Sequence, residues 1–288
     1  MVLFLQTTVN GILLGGIYLV ISLGLSLIFG VLHIINIAQG EFVMLGAYTA
    51  YWLFVFFGID PLLSFPLIFT IFFIGGYFLQ KTVINRVVGA PPLISLVLLF
   101  GISLIFRNTA LYVWTADYRA VTTSWTGKSF VLLGTYIPLL RLITFIIALV
   151  SIYCLFIFLQ KTKTGTAIQA TAQDREAARL LGVDIKRIYA ITFALGAGVA
   201  ALGGALLSSI FAIFPNMGTT YTLFAFFVVV LGGMGYIPGT FVGALALGIA
   251  QSFIVVYLGA RHTYMLTFLL LYLLLVFRPK GILGRGIV

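Results

Sequence analysis

The sequence predicts an all-α membrane protein: a polytopic bundle of about eight or nine transmembrane helices, with broken helices and one cytoplasmic helix. The first observation is composition, since 62% of the 288 residues are hydrophobic, only 8% are charged and the mean hydropathy is +1.22. Soluble domains carry about 25% charged residues, so this chain cannot cover a surface that faces water. The second is that the apolar runs are continuous and of helix-spanning length, whereas a β-barrel alternates apolar and polar residues in short segments. We expect one transmembrane domain over residues 1–288 and no soluble domain.

The apolar runs place the spans in chain order. They fall at 8–30, 41–57, 62–80, 93–115, 137–159, 188–213, 221–234, 239–259 and 263–277. The 221–234 run is shorter than the about 20 residues of a full crossing, so both eight and nine crossings agree with the pattern. The first run has no basic region before it and is long enough to span, which argues against a cleaved signal peptide.

Two breaks interrupt the apolar pattern. The first interruption, residues 30–41, contains polar residues between two spans, and the second interruption, residues 231–239, is rich in glycine. Irregular backbone within a membrane is tolerated only where protein buries it or a cavity lies beside it, and paired broken helices point to a transport path. The predicted path residues are Asn36, Gln39, Gly40, Glu41, Gly232, Gly233, Met234 and Gly235. A structural interpretation stays open for the polar ones: Asn36 and Gln39 can serve as hydrogen-bonding groups, and Glu41 can complement the dipole of the helix it begins.

The charged segment, residues 161–187, carries six of the sixteen Lys and Arg and three of the six acids. Its centre predicts a helix capped by Thr164 or Thr166, with a left-handed stop at Gly182. Asp184 is expected to cap the next span, near Ile188. Five residues, most of them small, fall near one face at three- and four-residue spacing, namely Ala167, Ala170, Thr171, Ala178 and Leu181. A short charged helix between two spans suggests contact with a cytoplasmic partner, and an ordinary solvated loop is the alternative.

Charge sets the orientation. Assigning alternate loops to the cytoplasm puts eleven of the sixteen basic residues there, including Arg278, Lys280 and Arg285, and four on the other side. The positive-inside rule then places the charged segment and the C-terminus in the cytoplasm and the N-terminus outside. It also accounts for the net charge of +10 without a nucleic-acid partner.

Catalytic and metal-binding patterns are missing from the sequence. His33, His262 and the single Cys154 are isolated from other ligand-type residues, so we predict no catalytic site, metal or cofactor. A proton-driven carrier needs several buried acids or lysines, and this chain has few. Arg107 lies inside an apolar run and is interpreted as snorkelling towards the interface. The sequence therefore favours a transport path that is either powered by another protein or passive.

The chain resembles the membrane subunits of bacterial ABC importers for branched-chain amino acids. The resemblance covers essentially the whole chain, and its motifs occur in family order: Asn10-Gly11-xxx-Gly15-xx-Tyr18, residues 35–41, Gly165-xxx-Gln169-Ala-Thr-Ala-Gln-Asp-Arg-Glu-Ala-Ala178 with Leu181-Gly182, residues 230–239, and residues 277–281. Each motif alone is modest, and together they are specific.

This resemblance implies a single permease domain whose coupling helix, within 161–187, docks on a separate ATPase subunit. The coupling residues it implies are Gly165, Ala170, Thr171, Asp174, Arg175, Glu176, Ala178, Leu181 and Gly182. The implied partners are two ABC ATPases, a second permease chain of the same or a different kind, and a periplasmic or lipid-anchored binding protein, all at a cytoplasmic (inner) membrane of a bacterium or archaeon. Hydrolysis of ATP is expected on the partners and not on this chain.

Two positions depart from the family pattern, because Gln39 stands where many members have His and Tyr236 where many have Ser. Both lie in the interruptions assigned to the path, which keeps the substrate open. The expected substrates are branched-chain or other small hydrophobic amino acids, and urea or short amides are the alternative. A passive channel or secondary carrier, with the charged segment as a regulatory loop, is the rival from another class.

Overall fold

A computed structural model describes residues 1–123, 125–132, 134–277 and 281–282. The helices are α1 Val2–Leu32, α2 Gln39–Phe57, α3 Phe65–Thr82, α4 Pro92–Trp114, α5 Leu139–Lys161, α6 Lys163–Gln173, α7 Arg175–Leu180, α8 Ile185–Ser208, α9 Met217–Gly232, α10 Ile237–Phe253 and α11 Thr263–Phe277. Short 3-10 turns cover Ile84–Arg86 and Ala260–His262, and a π-helical turn, Ile254–Leu258, extends α10. Arg278, Lys280 and Arg285, on which part of the orientation depends, lie outside the described residues, as does most of the 277–281 motif.

The predicted polytopic helical bundle is confirmed. Within the described residues, eight helices are long and apolar enough to cross a membrane, and α9, with 16 residues, is a shorter apolar helix. In the part of the chain that the structure describes, the departure from an all-α fold is a hairpin of β1 Ser129–Leu132 and β2 Thr135–Pro138, paired antiparallel with Ser129 opposite Pro138. The hairpin lies in the loop before α5. Helix α5 therefore begins at Leu139, two residues after the predicted start.

The core of the bundle is formed by α1, α2, α8 and α10, which approach one another closely at glycine and other small residues. A Cβ atom added to Gly24 of α1 would overlap the carbonyl oxygen of Gly196 in α8, so these backbones touch. Further along, Ile21 packs on Gly203, which makes α1 and α8 antiparallel. Glycine permits this approach, and in a membrane the resulting van der Waals contact holds helices together. Glycine and alanine therefore allow the core helices to pack backbone against backbone.

Helix α2 begins inside the bundle rather than at its edge. The chain leaves α1 at His33, whose φ of 55° is left-handed, and residues 33–38 turn back along α1. At Gln39 the side-chain Nε2 donates to the carbonyl oxygen of Ile21, in the middle part of α1, at 3.3 Å. Thus α2 is a broken helix that starts at mid-depth and runs parallel to α8, with Gly46 against Ala201.

The loop between α4 and α5 covers the end of the bundle away from α6 and α7. Its Arg119 exchanges two backbone hydrogen bonds with Ile213, at 2.9 and 2.7 Å, and so joins the loop to the 209–216 connection. The guanidinium of Arg119 lies 5.0 Å from the Trp52 ring and 5.6 Å from the Tyr51 ring, at the far end of α2. Cation–π contact of this kind attaches the loop to the helix ends. The N-terminus lies at this same end, opposite the charged segment.

Candidate translocation and coupling sites

The polar residues of the first interruption are buried within the chain. Asn36 and Gln39 are each 0% exposed, and Asn36 Nδ2 donates to Gln39 Oε1 at 3.0 Å. Because Gln39 also donates to Ile21, one amide joins α1 to the start of α2. Asn36 Oδ1 has no hydrogen-bond partner. The hydrogen-bonding interpretation of these two residues is therefore confirmed, and their role in a path stays a prediction.

Gly40 brings the start of α2 against the start of α9. Its backbone N–H donates to Thr222 Oγ1 at 2.9 Å, and the same hydroxyl lies 3.3 Å from the carbonyl oxygen of Ile37. A Cβ atom on Gly40 would overlap the carbonyl oxygen of Gly218. The bond satisfies an N–H that the first turn of a helix leaves without a partner. Thr222 was not singled out in the sequence, where a threonine inside an apolar run gives no sign of a partner 182 residues away.

Glu41 lies in the first turn of α2, which begins at Gln39, the position at which a carboxylate can complement the helix dipole. It makes no side-chain capping bond. Glu41 is buried, with 1% of its surface exposed. Its Oε1 accepts a hydrogen bond from Ser103 Oγ of α4 at 3.0 Å. Its Oε2 has no hydrogen-bond partner and lies beside Gly218 of α9. This carboxylate therefore joins α2, α4 and α9.

Arg107 is one helical turn beyond Ser103 in α4. Its Nη1 donates to Thr219 Oγ1 of α9 at 3.1 Å, in an exposed position, so the guanidinium joins α4 to α9 at the surface of the bundle. The spacing of Ser103 and Arg107, four residues apart in an apolar run, is the sequence signal that could have linked α4 to this polar cluster. Polar groups inside a membrane protein are costly unless paired, and this cluster pairs most of them.

The second interruption is built differently. Gly233 and Gly235 take left-handed φ angles of 99° and 78°, and they connect α9 to α10 in a turn that other residues adopt at a cost. Gly232 and Gly233 are buried, whereas Met234 is 46% exposed. A Cβ atom on Gly235 would lie 2.9 Å from the Cα of Gly30, so the two interruptions meet at this point.

A cavity of about 710 Å³ adjoins the second interruption. Gly30, Gly235 and Tyr236 line it, together with residues of α1, α5, α6 and α10. Asn36, Gln39 and Glu41 do not line it. Of the predicted path residues, only Gly235 lines this cavity. Asn36, Gln39, Gly40 and Glu41 lie in the hydrogen-bonded cluster, and Gly232, Gly233 and Met234 lie at the end of α9 and in the turn after it, without lining the cavity.

The charged segment forms two helices and not one. Thr162 caps α6, because its Oγ1 accepts from the Gly165 N–H at 3.0 Å, so the predicted caps Thr164 and Thr166 are wrong. Asp174 then breaks the helix and caps α7, since its Oδ1 accepts from Glu176 N at 2.9 Å and Ala177 N at 3.0 Å. A carboxylate at an N-cap competes well with continuing the helix. The predicted stop at Gly182 is confirmed, since its φ is 85°. The predicted cap at Asp184 is also confirmed, because its Oδ1 accepts from the Arg187 N–H at 3.2 Å. Helix α8 begins at Ile185, earlier than expected.

The break at Asp174 changes which residues face outward. Gly165, Thr171 and Ala178 are buried against the chain itself, with Ala178 only 2% exposed, and Ala170 is half-buried. Leu180 and Leu181 are instead 89% and 84% exposed, and the side chains of Asp174, Arg175 and Glu176 are exposed beside them. Of the five residues predicted to share one face, Ala167, Ala170, Thr171 and Ala178 are buried or half-buried, and Leu181 is exposed. Most of that face packs on the chain itself and is not free for a partner. The small residues hold the segment on the bundle, and the leucine pair faces outward.

Metal-ligand clustering is not found within the described ranges, where no group of three His, Cys, Asp or Glu residues lies close enough to hold an ion.

The chain was compared with known proteins. The profile of a family described as "Branched-chain amino acid transport system / permease component" matches residues 7–276. The chain is 31% identical to the high-affinity branched-chain amino acid transport system permease protein BraD of Pseudomonas aeruginosa, over 98% of this chain and 96% of the relative. It is also 31% identical, with the same coverage, to the permease protein LivH of Escherichia coli K12.

A more distant relative is the probable branched-chain amino acid transport permease protein LivM of Methanocaldococcus jannaschii, 24% identical over 93% of this chain and 90% of the relative. No solved structure matches the chain.

Proposed function

Because the chain belongs to the family of permease components of branched-chain amino acid transport systems, we propose that it is one half of an ATP-driven importer of small apolar amino acids. Membership confirms the family resemblance and the prediction of a permease subunit. Because eight helices among the described residues are of span length, the protein is a multi-pass membrane protein. Its place is the cytoplasmic (inner) membrane of a bacterium or archaeon, with the charged segment inside.

The observation that carries the ATP-driven proposal is the construction of the charged segment. Helix α6 is fixed to the bundle. A Cβ on Gly165 would lie 2.6 Å from the Cα of Leu159 in α5, and Gln169 Nε2 donates to the Leu159 carbonyl at 3.2 Å. Ile168 of α6 is buried, with 1% of its surface exposed. Beyond it, α7 presents Leu180 and Leu181 to solvent. Exposed large apolar side chains rimmed by charge mark a surface for a protein partner. A partner that binds this pair displaces α6 and the helix ends beneath it together.

Two ATPase subunits are the proposed partners at this surface, one for each permease chain. ATP binding would close them and move the two charged segments as rigid levers, which requires the closed ATPase pair to favour one conformation of the permeases over the other. Hydrolysis takes place on those subunits. A passive channel, or a secondary carrier, would need no such lever.

A second permease chain completes the transporter, of the same or a different kind. The similarity of this chain to LivM as well as to LivH supports pairing between two chains of one fold. At the opposite end of the bundle, the loop joined to Ile213 by Arg119 offers a surface for a periplasmic or lipid-anchored binding protein. The proposed substrates, branched-chain amino acids, follow the names of the relatives; urea and short amides are the second candidate, because Gln39 and Tyr236 depart from the family pattern.

The docking proposal is tested by reversing the polarity of the exposed pair. Ala178 is unsuitable because it is buried, so a bulky residue there would disturb folding. Leu180→Glu with Leu181→Glu should leave the permease folded and abolish recruitment and stimulation of the cognate ATPases in proteoliposomes. The matched control is Leu63→Glu, 75% exposed at the other end of the bundle, which should recruit ATPase normally. Unchanged ATP turnover in the double variant would contradict the docking role.

The substrate is tested with the complete assembly. ATP-dependent uptake of radiolabelled leucine, and not of urea, is the expected result. Full transport by the purified permease without ATP or partners would exclude the importer.

A further inference from the structure

The cavity of about 710 Å³ lies between membrane helices and the charged segment. On the membrane side its walls are α1, α5 and the start of α10, with Leu23, Phe156 and Phe241 among them. On the side of the charged segment, α6 closes it with Ile168, Gln169, Ala172 and Gln173. Helix α6, which a partner bound to the leucine pair beyond it would displace, is therefore also a wall of the cavity.

The size and chemistry of the cavity fit a small molecule with an apolar part. Its volume falls within the about 300–1,000 Å³ of typical ligand sites. Most of its lining is aliphatic or aromatic, and no charged side chain is among the described residues that line it. The polar lining side chains are Ser26, Gln169, Gln173 and Tyr236.

The polarity is distributed unevenly. Gln169 and Gln173 are one turn apart on α6, where their side chains are exposed, so they mark the cytoplasmic end. A second cavity of about 190 Å³ shares Leu23, Phe156 and Ile237 with the first and extends it along α5 between apolar side chains. An apolar side chain can enter this extension while charged or amide groups stay at the wet end, where water and the glutamine amides solvate them.

We propose that this cavity is the inner chamber of the transport path, and that it takes an amino acid with a branched apolar side chain, its polar end facing Gln169 and Gln173. This inference rests on the proposed function. It moves the inner path away from the buried Asn36–Gln39–Glu41 cluster to the space beneath α6. A substrate in the chamber lies directly against the helix that the ATPases move, so movement of α6 changes the volume available to the substrate.

The single cysteine makes a direct test possible. In the purified assembly, Cys154→Ser removes this chain's one native thiol, and Ala172→Cys places a new thiol in the chamber wall, so that labelling is followed on this chain alone. The measurement is the rate of maleimide labelling with increasing leucine or urea. Leucine should slow labelling in a saturable way, about tenfold at ten times its dissociation constant, because about a tenth of the chambers are then free. Urea should not.

The control thiol is Leu63→Cys, 75% exposed in the loop between α2 and α3 at the other end of the bundle, whose labelling should not respond to leucine. Labelling at Ala172→Cys that no leucine concentration slows, or that only added phospholipid slows, would overturn the chamber. If the same preparation still imports leucine with ATP, the proposed function stands. If the unaltered assembly imports no leucine, the proposed function itself fails.

Discussion

The two interruptions look alike in sequence and differ in physical construction. The first is closed by hydrogen bonds, since Asn36, Gln39 and Glu41 are at most 1% exposed and the Gly40 N–H is bonded to Thr222. The second is shaped by left-handed glycines, leaves Met234 46% exposed and adjoins a cavity. A break in an apolar pattern can thus fix a helix start inside a bundle or open a space beside one. We infer that the first is framework and the second belongs to the path.

Gly40→Val should give the largest effect, because the added atoms would overlap the Gly218 carbonyl and Thr222. Overpacking between backbones has little room to relax, so we expect a loss of about 3 kcal/mol or more. Equilibrium unfolding in mixed detergent micelles measures it. Gly75→Val is the control, because nothing lies within 4 Å of a Cβ at Gly75, and it should unfold almost as the parent does. Equal losses in both variants would contradict a closed first interruption.

Gly235→Ala tests the second interruption. An L-residue at a φ of 78° costs about 1–2 kcal/mol, and contact of the new Cβ with Gly30 adds to this. Gly127→Ala measures the cost of the left-handed backbone without the contact, since Gly127 has a φ of 82° and open space around it. The difference in unfolding free energy between the variants reports the contact between the interruptions, and no difference would mean that this contact is not tight.

Thr222→Val removes the hydroxyl that accepts from the Gly40 N–H. Leaving this buried donor without a partner should cost about 1–2 kcal/mol in unfolding free energy. Thr222→Ser keeps the hydroxyl and should recover most of the loss. A valine variant as stable as the serine variant would show that this bond does not hold the start of α2.

Met234→Ala should give the smallest effect on stability, within about 0.5 kcal/mol, because its side chain is half exposed. The same unfolding measurement checks it. A loss as large as that of Gly235→Ala would mean that the second interruption is packed as tightly as the first.

Local signals in the sequence found most of the helices and several of their ends. The stop at Gly182 and the cap at Asp184 depend on neighbours within three residues, and both were predicted correctly. The charged segment shows where local reasoning fails. Thr162, Thr164 and Thr166 are the same residue type, so the sequence does not distinguish them as helix caps. Thr162 caps α6 because α5 ends just before it and its hydroxyl accepts from the Gly165 N–H. Asp174 likewise fits the middle of a helix by pattern, yet its carboxylate bonds two backbone N–H groups and starts α7.

The sequence by itself determined that this protein is a helical membrane bundle, where its helices lie along the chain, and which two stretches break the apolar pattern. Hydropathy, glycine and capping act over a few residues and can be read in order. Only the tertiary structure decided that Gly40 meets Thr222, that Glu41 joins Ser103, and that α6 closes a cavity. The two hydrogen bonds connect residues that are 182 and 62 positions apart in the chain. Their partners, Thr222 and Ser103, are ordinary polar residues in apolar runs. Packing of whole helices selects them, and no local pattern records that choice.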